Sequence, residues 1–186
     1  MGTDGASHSE AIMSSPKLPG PRDTSRAGVN LIRALQFCVL LCSALVMGLT
    51  LGHVLQSPGS RGLSGAEWLD VQHTFYGGFA VVGGISEFLG LVTAIALIVT
   101  LLARRLMRAA VAPAIATVCF IGMLLSYWFG NRPVNAKIVS WTASSLPPDW
   151  QSYRDTWETA HAVTAGLAAL AFVAVAVAII WHRKST

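Results

Sequence analysis

The sequence is poor in charged residues. Asp, Glu, Lys and Arg make up only 12% of its 186 residues, whereas 53% are hydrophobic. A soluble domain typically carries about 25% charged residues. Most of the apolar excess lies in four runs, at residues 31–55, 84–102, 109–129 and 159–181. Each run has the ~20 residues that a helix needs to cross about 30 Å of hydrocarbon. The sequence therefore predicts an all-α fold, a four-helix transmembrane bundle.

Cysteine is also scarce, and the two predicted outward loops, residues 56–71 and 130–153, contain none. The three cysteines, Cys38, Cys42 and Cys119, all fall inside predicted spans, so no disulfide is expected on the oxidising side of a membrane. Cys38 and Cys42 are one helical turn apart, which is a metal-binding spacing. Small buried packing residues are the favoured interpretation, because free cysteine behaves as a buried hydrophobe.

Several signatures of soluble enzyme classes are absent from the sequence. It has no phosphate-binding glycine loop, no nucleophile elbow and no His-Glu-x-x-His pair. It also lacks the Glu-x-x-His pairs of diiron helix bundles. The sequence therefore gives no motif evidence for any of these enzyme classes.

Two regions differ in composition. Residues 1–28 are rich in Ser, Pro, Gly and Thr and show no apolar periodicity, which predicts a disordered cytoplasmic tail. Residues 29–184 then form a single four-helix transmembrane domain. A cleaved signal peptide is not predicted, because the first apolar run is long and begins late.

The net charge of +4 comes from basic residues that cluster at one end of the predicted bundle. Nine of the thirteen basic residues lie there: Lys17, Arg22, Arg26, Arg33, Arg104, Arg105, Arg108, Arg183 and Lys184. The positive-inside rule then predicts a multi-pass protein of the cell membrane with both termini cytoplasmic. This distribution argues against a nucleic-acid partner. The expected partners are membrane lipid and an apolar small-molecule ligand, and a homo-oligomer is left open.

The second predicted helix is longer than its apolar run. Ser64 and Glu67 have the spacing of a capping box, and a helix from there to Ala103 would be about 58 Å long. It must project from the membrane or bend, and two glycine pairs offer bending points: Gly77-Gly78 and Gly83-Gly84. These glycines would also permit close helix packing.

Residues 130–153 are predicted to form a short segment on the outer surface. They contain three prolines and two tryptophans, and tryptophan is typical of a membrane interface.

Three helices bring an ionisable side chain to nearly the same depth. His53 lies 20 residues from Arg33, Glu87 lies 17 from Arg104, and His161 lies 21 from His182, or about 30, 25 and 31 Å. A carboxylate in hydrocarbon is costly and usually faces the bundle interior and a partner. We therefore predict that Glu87 points inward, toward His53, His161 or Arg154. Capped helix ends or a structural hydrogen bond would be the alternative explanation.

Two motif blocks resemble bacterial members of the anthrone oxygenase-like membrane family. The first runs His53-Val-Leu-Gln-Ser-Pro, then Trp68-Leu-Asp-Val-Gln72 with Tyr76, then Gly83-Gly-Ile-Ser-Glu87. The second contains Asn131-Arg-Pro-Val-Asn135, Trp141, Asp149-Trp150, Arg154, Trp157 and His161. The resemblance covers roughly residues 35–170 and implies a four-helix membrane fold. It also implies oxygenation of an anthrone-like molecule, which is acidic enough for a base and oxygen to suffice without a cofactor.

These observations lead to two hypotheses. The first is an oxygenase or oxidoreductase with an outward-facing polar pocket for an aromatic or lipid-like molecule. His53, Glu87 and His161 would be catalytic, as proton carriers and base or as ligands of a metal ion such as iron or copper. The predicted substrate-binding residues are Gln72, Tyr76, Asn131, Asn135, Arg154 and Trp157. The second hypothesis is a non-catalytic membrane protein that binds a lipid, a quinone or a partner subunit.

Overall fold

Four long helices dominate the computed structural model, which describes residues 21–182, with side chains from residue 26 to residue 181. The α-helices are α1 (Pro21–Ser60), α2 (Gly65–Ala103), α3 (Val111–Ser126), α4 (Arg132–Ile138) and α5 (Trp150–His182). No strand occurs in the described residues. Four spans are long and apolar enough to cross a membrane: Arg26–Ser60, Gly65–Ala103, Met107–Ile138 and Trp150–Trp181. The predicted all-α four-helix bundle is confirmed, and its helices are those of a multi-pass membrane protein.

The long helices form a ring. Helix α1 packs against α2 and α5, and α3 packs against the same two neighbours. The central core contains side chains from all four helices, among them Val39, Ala94, Phe120 and Val175. In a membrane such packing stabilises mainly through dispersion contacts and close fit, because lipid tails are as apolar as the side chains.

The two ends of the bundle differ, and we name them by their residues. The arginine end carries Arg33, Arg104, Arg105 and Arg108, and the loop end carries residues 61–64 and 139–149. At the arginine end, the Arg104 guanidinium lies directly over Gly28, so a larger side chain at this position would require the guanidinium to move. Which end faces the cytoplasm stays a prediction.

Helix α2 begins where the sequence predicted. Ser64 is its N-cap, its hydroxyl accepts from the Glu67 amide, and the Glu67 carboxylate accepts from the Ser64 amide. The helix then continues without interruption through both glycine pairs to Ala103. The expected packing role of these glycines is wrong for three of them. Nothing lies within 4 Å of a Cβ built on Gly77, Gly78 or Gly84, so they leave open space.

The predicted surface segment at residues 130–153 is helical at its two ends, in residues 130–138 and 150–153. A 3-10 turn (Met107–Ala110) precedes α3, and a π-helical turn (Tyr127–Asn131) carries the chain from α3 into α4. Pro133 does not stop the helix because it lies in the first turn of α4, where its missing N–H is tolerated. Only residues 139–149 separate α4 from α5.

The boundary of the predicted N-terminal tail also changes. Residues 1–20 lie outside the described part of the chain, but α1 begins at Pro21. Residues 21–28 therefore belong to the first helix, and Gly28 is buried against Arg104. The predicted domain end at residue 184 lies outside the described residues.

Candidate functional site

A cavity of about 260 Å³ lies between the four long helices, toward the loop end. Its wall combines apolar and glycine residues with polar side chains from every long helix or its extension. The polar residues include Thr50, His53, Tyr76, Glu87, Asn131, His161 and Thr164. The structure therefore brings the three predicted catalytic residues to one cavity, together with Tyr76 and Asn131.

Two histidines form the centre of the polar wall. The ring centroids of His53 on α1 and His161 on α5 are 4.4 Å apart. Trp157, one turn before His161, lies edge-on to both rings at 4.8 Å and 4.2 Å. Tyr76 on α2 completes the aromatic group, 5.9 Å from His53 and 6.1 Å from His161. The helical rise sets the common height of these rings, and the packing of α1 against α5 makes them touch.

His161 has an unsatisfied nitrogen. The residue is only 8% exposed, and its Nε2 atom has no hydrogen-bond partner within the described part of the chain. Most buried polar atoms are paired, and leaving one unpaired costs about 1–3 kcal/mol. Because His161 lines the cavity, a polar group of a bound molecule or a water could supply that partner.

Glu87 is the second unpartnered polar group on the wall. Its side chain is 9% exposed, and residues 26–181 provide it with neither a hydrogen bond nor an ion pair. Gly83 and Gly84, one turn earlier on α2, line the same cavity. The glycines keep open the space that the carboxyl group borders.

A hydrogen-bond network supports the cavity from the side of α4. The Asn135 amide donates to the Tyr76 hydroxyl (3.0 Å) and accepts from the Trp157 indole N–H (2.9 Å). Asn131, held by the π-helical turn, donates to the Trp157 carbonyl at 3.1 Å. Such turns are frequent at functional sites because they redirect side chains. The network joins three helices and holds Tyr76 and Trp157 beside the histidines.

Four predicted substrate-binding residues do not line this cavity. Asn135 and Trp157 lie behind its wall in the network just described. Gln72 lines a neighbouring groove of about 230 Å³ between α1 and α2. The buried Arg154 guanidinium pairs with Asp155 at 3.1 Å and stacks over Trp150 at 5.3 Å. Its hydrogen bonds and its cation–π contact are thus within its own helix.

Across residues 26–181, no three His, Cys, Asp or Glu side chains are arranged to hold a metal ion. His53, Glu87 and His161 therefore share a cavity without forming a three-ligand set. The cysteines are free, and Cys42 and Cys119 are buried in the apolar core.

One buried acid was not identified from the sequence. Glu158 on α5 is 8% exposed and accepts hydrogen bonds from the Ser57 and Ser60 hydroxyls at the end of α1. The Arg61 Nε atom lies 3.8 Å from the same carboxylate. We call this group the α1–α5 clamp. The available signal was the polar face that Ser57, Ser60 and Arg61 share at i, i+3 and i+4.

His73 has a structural contact of its own. Its Nε2 atom lies 2.9 Å from the carbonyl oxygen of Ile138, which ties α2 to the end of α4.

In comparisons with known proteins, no family model, curated protein or solved structure matches this chain. The resemblance to the anthrone oxygenase-like family therefore rests on the sequence motifs alone.

Proposed function

We propose that this protein is a membrane enzyme of the oxygenase or oxidoreductase type that acts on an apolar small molecule in the central cavity. The observation that carries the proposal is the pair of unpartnered buried groups on one cavity wall, Glu87 and the His161 Nε2 atom. Buried polar groups are ordinarily paired within the fold. Groups left unpaired beside an open space are suited to bind a ligand.

The lining of the cavity defines the class of ligand. Leu49, Phe79 and Leu124 provide apolar contacts, and the polar groups are concentrated at the two histidines and Glu87. Small-molecule sites usually combine a mostly apolar lining with a few polar groups that fix orientation. An aromatic or lipid-like molecule with one or two polar groups fits this pattern.

Proton transfer is the chemistry that these side chains offer. With an anthrone-like substrate, as the sequence resemblance implies, the Glu87 carboxylate would take a proton from the acidic methylene carbon. The resulting carbanion would be oxidised by molecular oxygen. One oxygen atom would become the new carbonyl of the quinone, and the other would leave as water. His53 and His161 would hydrogen-bond to the developing oxyanion and carry protons.

A cavity-filling pair of variants tests whether the cavity binds a ligand. Gly84 and Gly78 both lie on α2 with open space at the Cβ position, but only Gly84 lines the cavity. Gly84→Leu should abolish saturable binding of tritiated anthraquinone to the purified protein, measured by scintillation proximity against excess unlabelled compound. Gly78→Leu, the matched control, should bind as the wild type does. Equal binding by both variants, or no saturable binding by the wild type, would refute the proposal.

A measurement of turnover distinguishes an enzyme from a protein that only binds the ligand. Anthrone and oxygen should be converted to anthraquinone and water. The reaction is measured by oxygen consumption and by absorbance. Glu87→Gln should still bind anthraquinone saturably, with an altered affinity because the carboxylate that borders the cavity is lost, and it should lower the rate by about 10²–10⁴-fold, as expected for loss of a general base. Binding without protein-dependent turnover would instead establish the non-catalytic alternative, which the same unpartnered groups would also serve.

A further inference from the structure

The contact between α2 and α3 is tight at one height and open at another. At Gly90 the Phe120 ring occupies the place where a Cβ would lie, so the two helices are in close contact there. Gly84 lies six residues closer to the loop end, or about 9 Å along the helix. Nothing comes within 4 Å of a Cβ at Gly84. Because Gly84 lines the cavity together with Tyr127 and Trp128 at the end of α3, the cavity separates the two helices at this height.

Residues on both sides of the open part belong to the cavity and to the outer surface at once. On α2, Ala80 and Gly84 line the cavity and are exposed. Across the seam, Tyr127 and Trp128 also line it and are 38% and 52% exposed. Side chains that border a cavity and are exposed outside it mark its opening. We call this opening the α2–α3 window.

The window faces an apolar surface. The nearest outward residues on α2, Ile85 and Phe88, are 62% and 65% exposed, and Leu125 and Phe129 beside Trp128 are 51% and 80% exposed. Such residues in membrane-spanning helices contact lipid. Trp128 lies at the end of the third apolar run, the level at which tryptophan marks a membrane interface. The opening thus meets the outer part of the hydrocarbon and its boundary.

We propose that the ligand enters the cavity sideways from the membrane, through the α2–α3 window, and that Trp128 is the gate. The Arg132 guanidinium lies 4.4 Å from the Trp128 ring centroid, a cation–π contact that holds the indole at the rim. The ligand is then a molecule dissolved in the bilayer, with an apolar body and a polar group that reaches His161 and Glu87. This inference rests on the proposed function, because a window serves only a cavity that is filled.

A neighbouring groove supplies the competing route for the test. The groove between α1 and α2 shares His53, Tyr76 and Phe79 with the cavity wall and is bordered by Gln56 and Gln72. Its two side-chain amides are suited to an approach from the aqueous side. Blocking each route separately decides between them.

The test measures the rates at which tritiated anthraquinone associates with and dissociates from the full chain in lipid nanodiscs. Removing a gate speeds entry and exit together and leaves Kd nearly unchanged, whereas loss of a binding contact mainly speeds dissociation. Trp128→Ala should raise both rates about tenfold with Kd within about threefold, in the manner of a gate. Phe129→Ala removes an adjacent exposed aromatic that does not line the cavity, so it should change neither rate.

Blocking variants give the opposite effect. Ala80→Trp should slow both rates, and its control Val81→Trp, on the exposed apolar surface next to it, should not. Gln72→Trp, which fills the α1–α2 groove, should also leave the rates unchanged. Slower exchange in Gln72→Trp, or unchanged rates in Trp128→Ala, would overturn the window. Absence of wild-type binding would instead refute the proposed function, so the two failures are distinguishable.

Discussion

Two glutamates of the described residues are buried to a similar extent, and their surroundings are opposite. Glu158, 8% exposed, accepts from two serine hydroxyls and lies 3.8 Å from the Arg61 Nε atom. Glu87, 9% exposed, has neither a hydrogen-bond nor an ion-pair partner in the described residues and borders a cavity of about 260 Å³. Burial alone therefore does not distinguish a structural carboxylate from one available to a ligand.

The difference follows from what each helix meets. Glu158 lies opposite the polar end of α1, where Ser57 and Ser60 satisfy it and join α1 to α5. Glu87 follows the Gly83-Gly84 pair, so no side chain fills the space beside it. The clamp fixes the two helices that carry His53 and His161. The cavity leaves a polar group without a partner where those histidines meet.

The largest expected effect on stability is at the clamp. Glu158→Ala removes the acceptor of two serine hydroxyls inside the α1–α5 contact. We expect the free energy of unfolding to fall by about 2–3 kcal/mol, as for loss of hydrogen bonds to a buried charged group. Denaturation in mixed micelles measures it. The control is Asp70→Ala, at an exposed carboxylate that has no hydrogen bond or ion pair in the described residues, and it should cost little. If both variants lost the same free energy of unfolding, the clamp would contribute no more to stability than a surface carboxylate.

Coupling between the histidines should be the next largest effect. The centroids of His53 and His161 are 4.4 Å apart, and contacting residues usually show interaction energies of about 0.5–3 kcal/mol. A double-mutant cycle of His53→Ala and His161→Ala on anthraquinone binding should be non-additive by that amount. The pair His73→Ala and His161→Ala is the control and should be additive. Additive effects in the first cycle would mean that the two rings do not act together on the ligand.

Tyr76→Phe should have a smaller effect. It removes the hydroxyl that accepts from Asn135 and keeps the ring beside the histidines. We expect a loss of about 1 kcal/mol in stability with anthraquinone affinity nearly retained. A large loss of affinity with unchanged stability would instead make Tyr76 a direct ligand contact, as the sequence motif predicted.

Removing residues 1–20 should have the smallest effect. The sequence there has no apolar face to bury, so neither stability nor ligand binding should change measurably. A shorter chain that begins at residue 29 is the informative comparison, because it also removes the first turns of α1, including Gly28 beneath Arg104. That deletion should lower the melting temperature. A lower melting temperature after removal of residues 1–20 alone would show that these residues pack on the bundle.

Local signals predicted much of this fold. The apolar runs identified the four spans, and Ser64 with Glu67 identified the start of α2, because capping depends on neighbouring residues only. The extension of α3 through Gly130 was missed. Its π-helical turn is stabilised by a distant contact, from Asn131 to the Trp157 carbonyl.

The sequence predicted the height of the site residues along the helices, but not the direction in which their side chains point. A constant helical rise placed His53, Glu87 and His161 at one height, and all three line the cavity. Which way each side chain points depends on how the helices pack. The sequence therefore left Arg154 as a partner for Glu87, although it pairs with Asp155. The Ser57–Glu158 contact spans 101 residues, beyond the reach of any local pattern.

The most direct test of the account compares Glu87→Gln with Glu158→Gln by melting each variant with and without anthraquinone. Both changes keep side-chain shape and remove the charge. Glu87→Gln should melt no lower than the wild type, because its carboxylate has no partner to lose, and it should show an altered ligand-induced shift. Glu158→Gln should melt lower without ligand and keep the full shift. The reverse pattern, a destabilised Glu87→Gln and a Glu158→Gln that no longer responds to ligand, would contradict the assignment of the two glutamates.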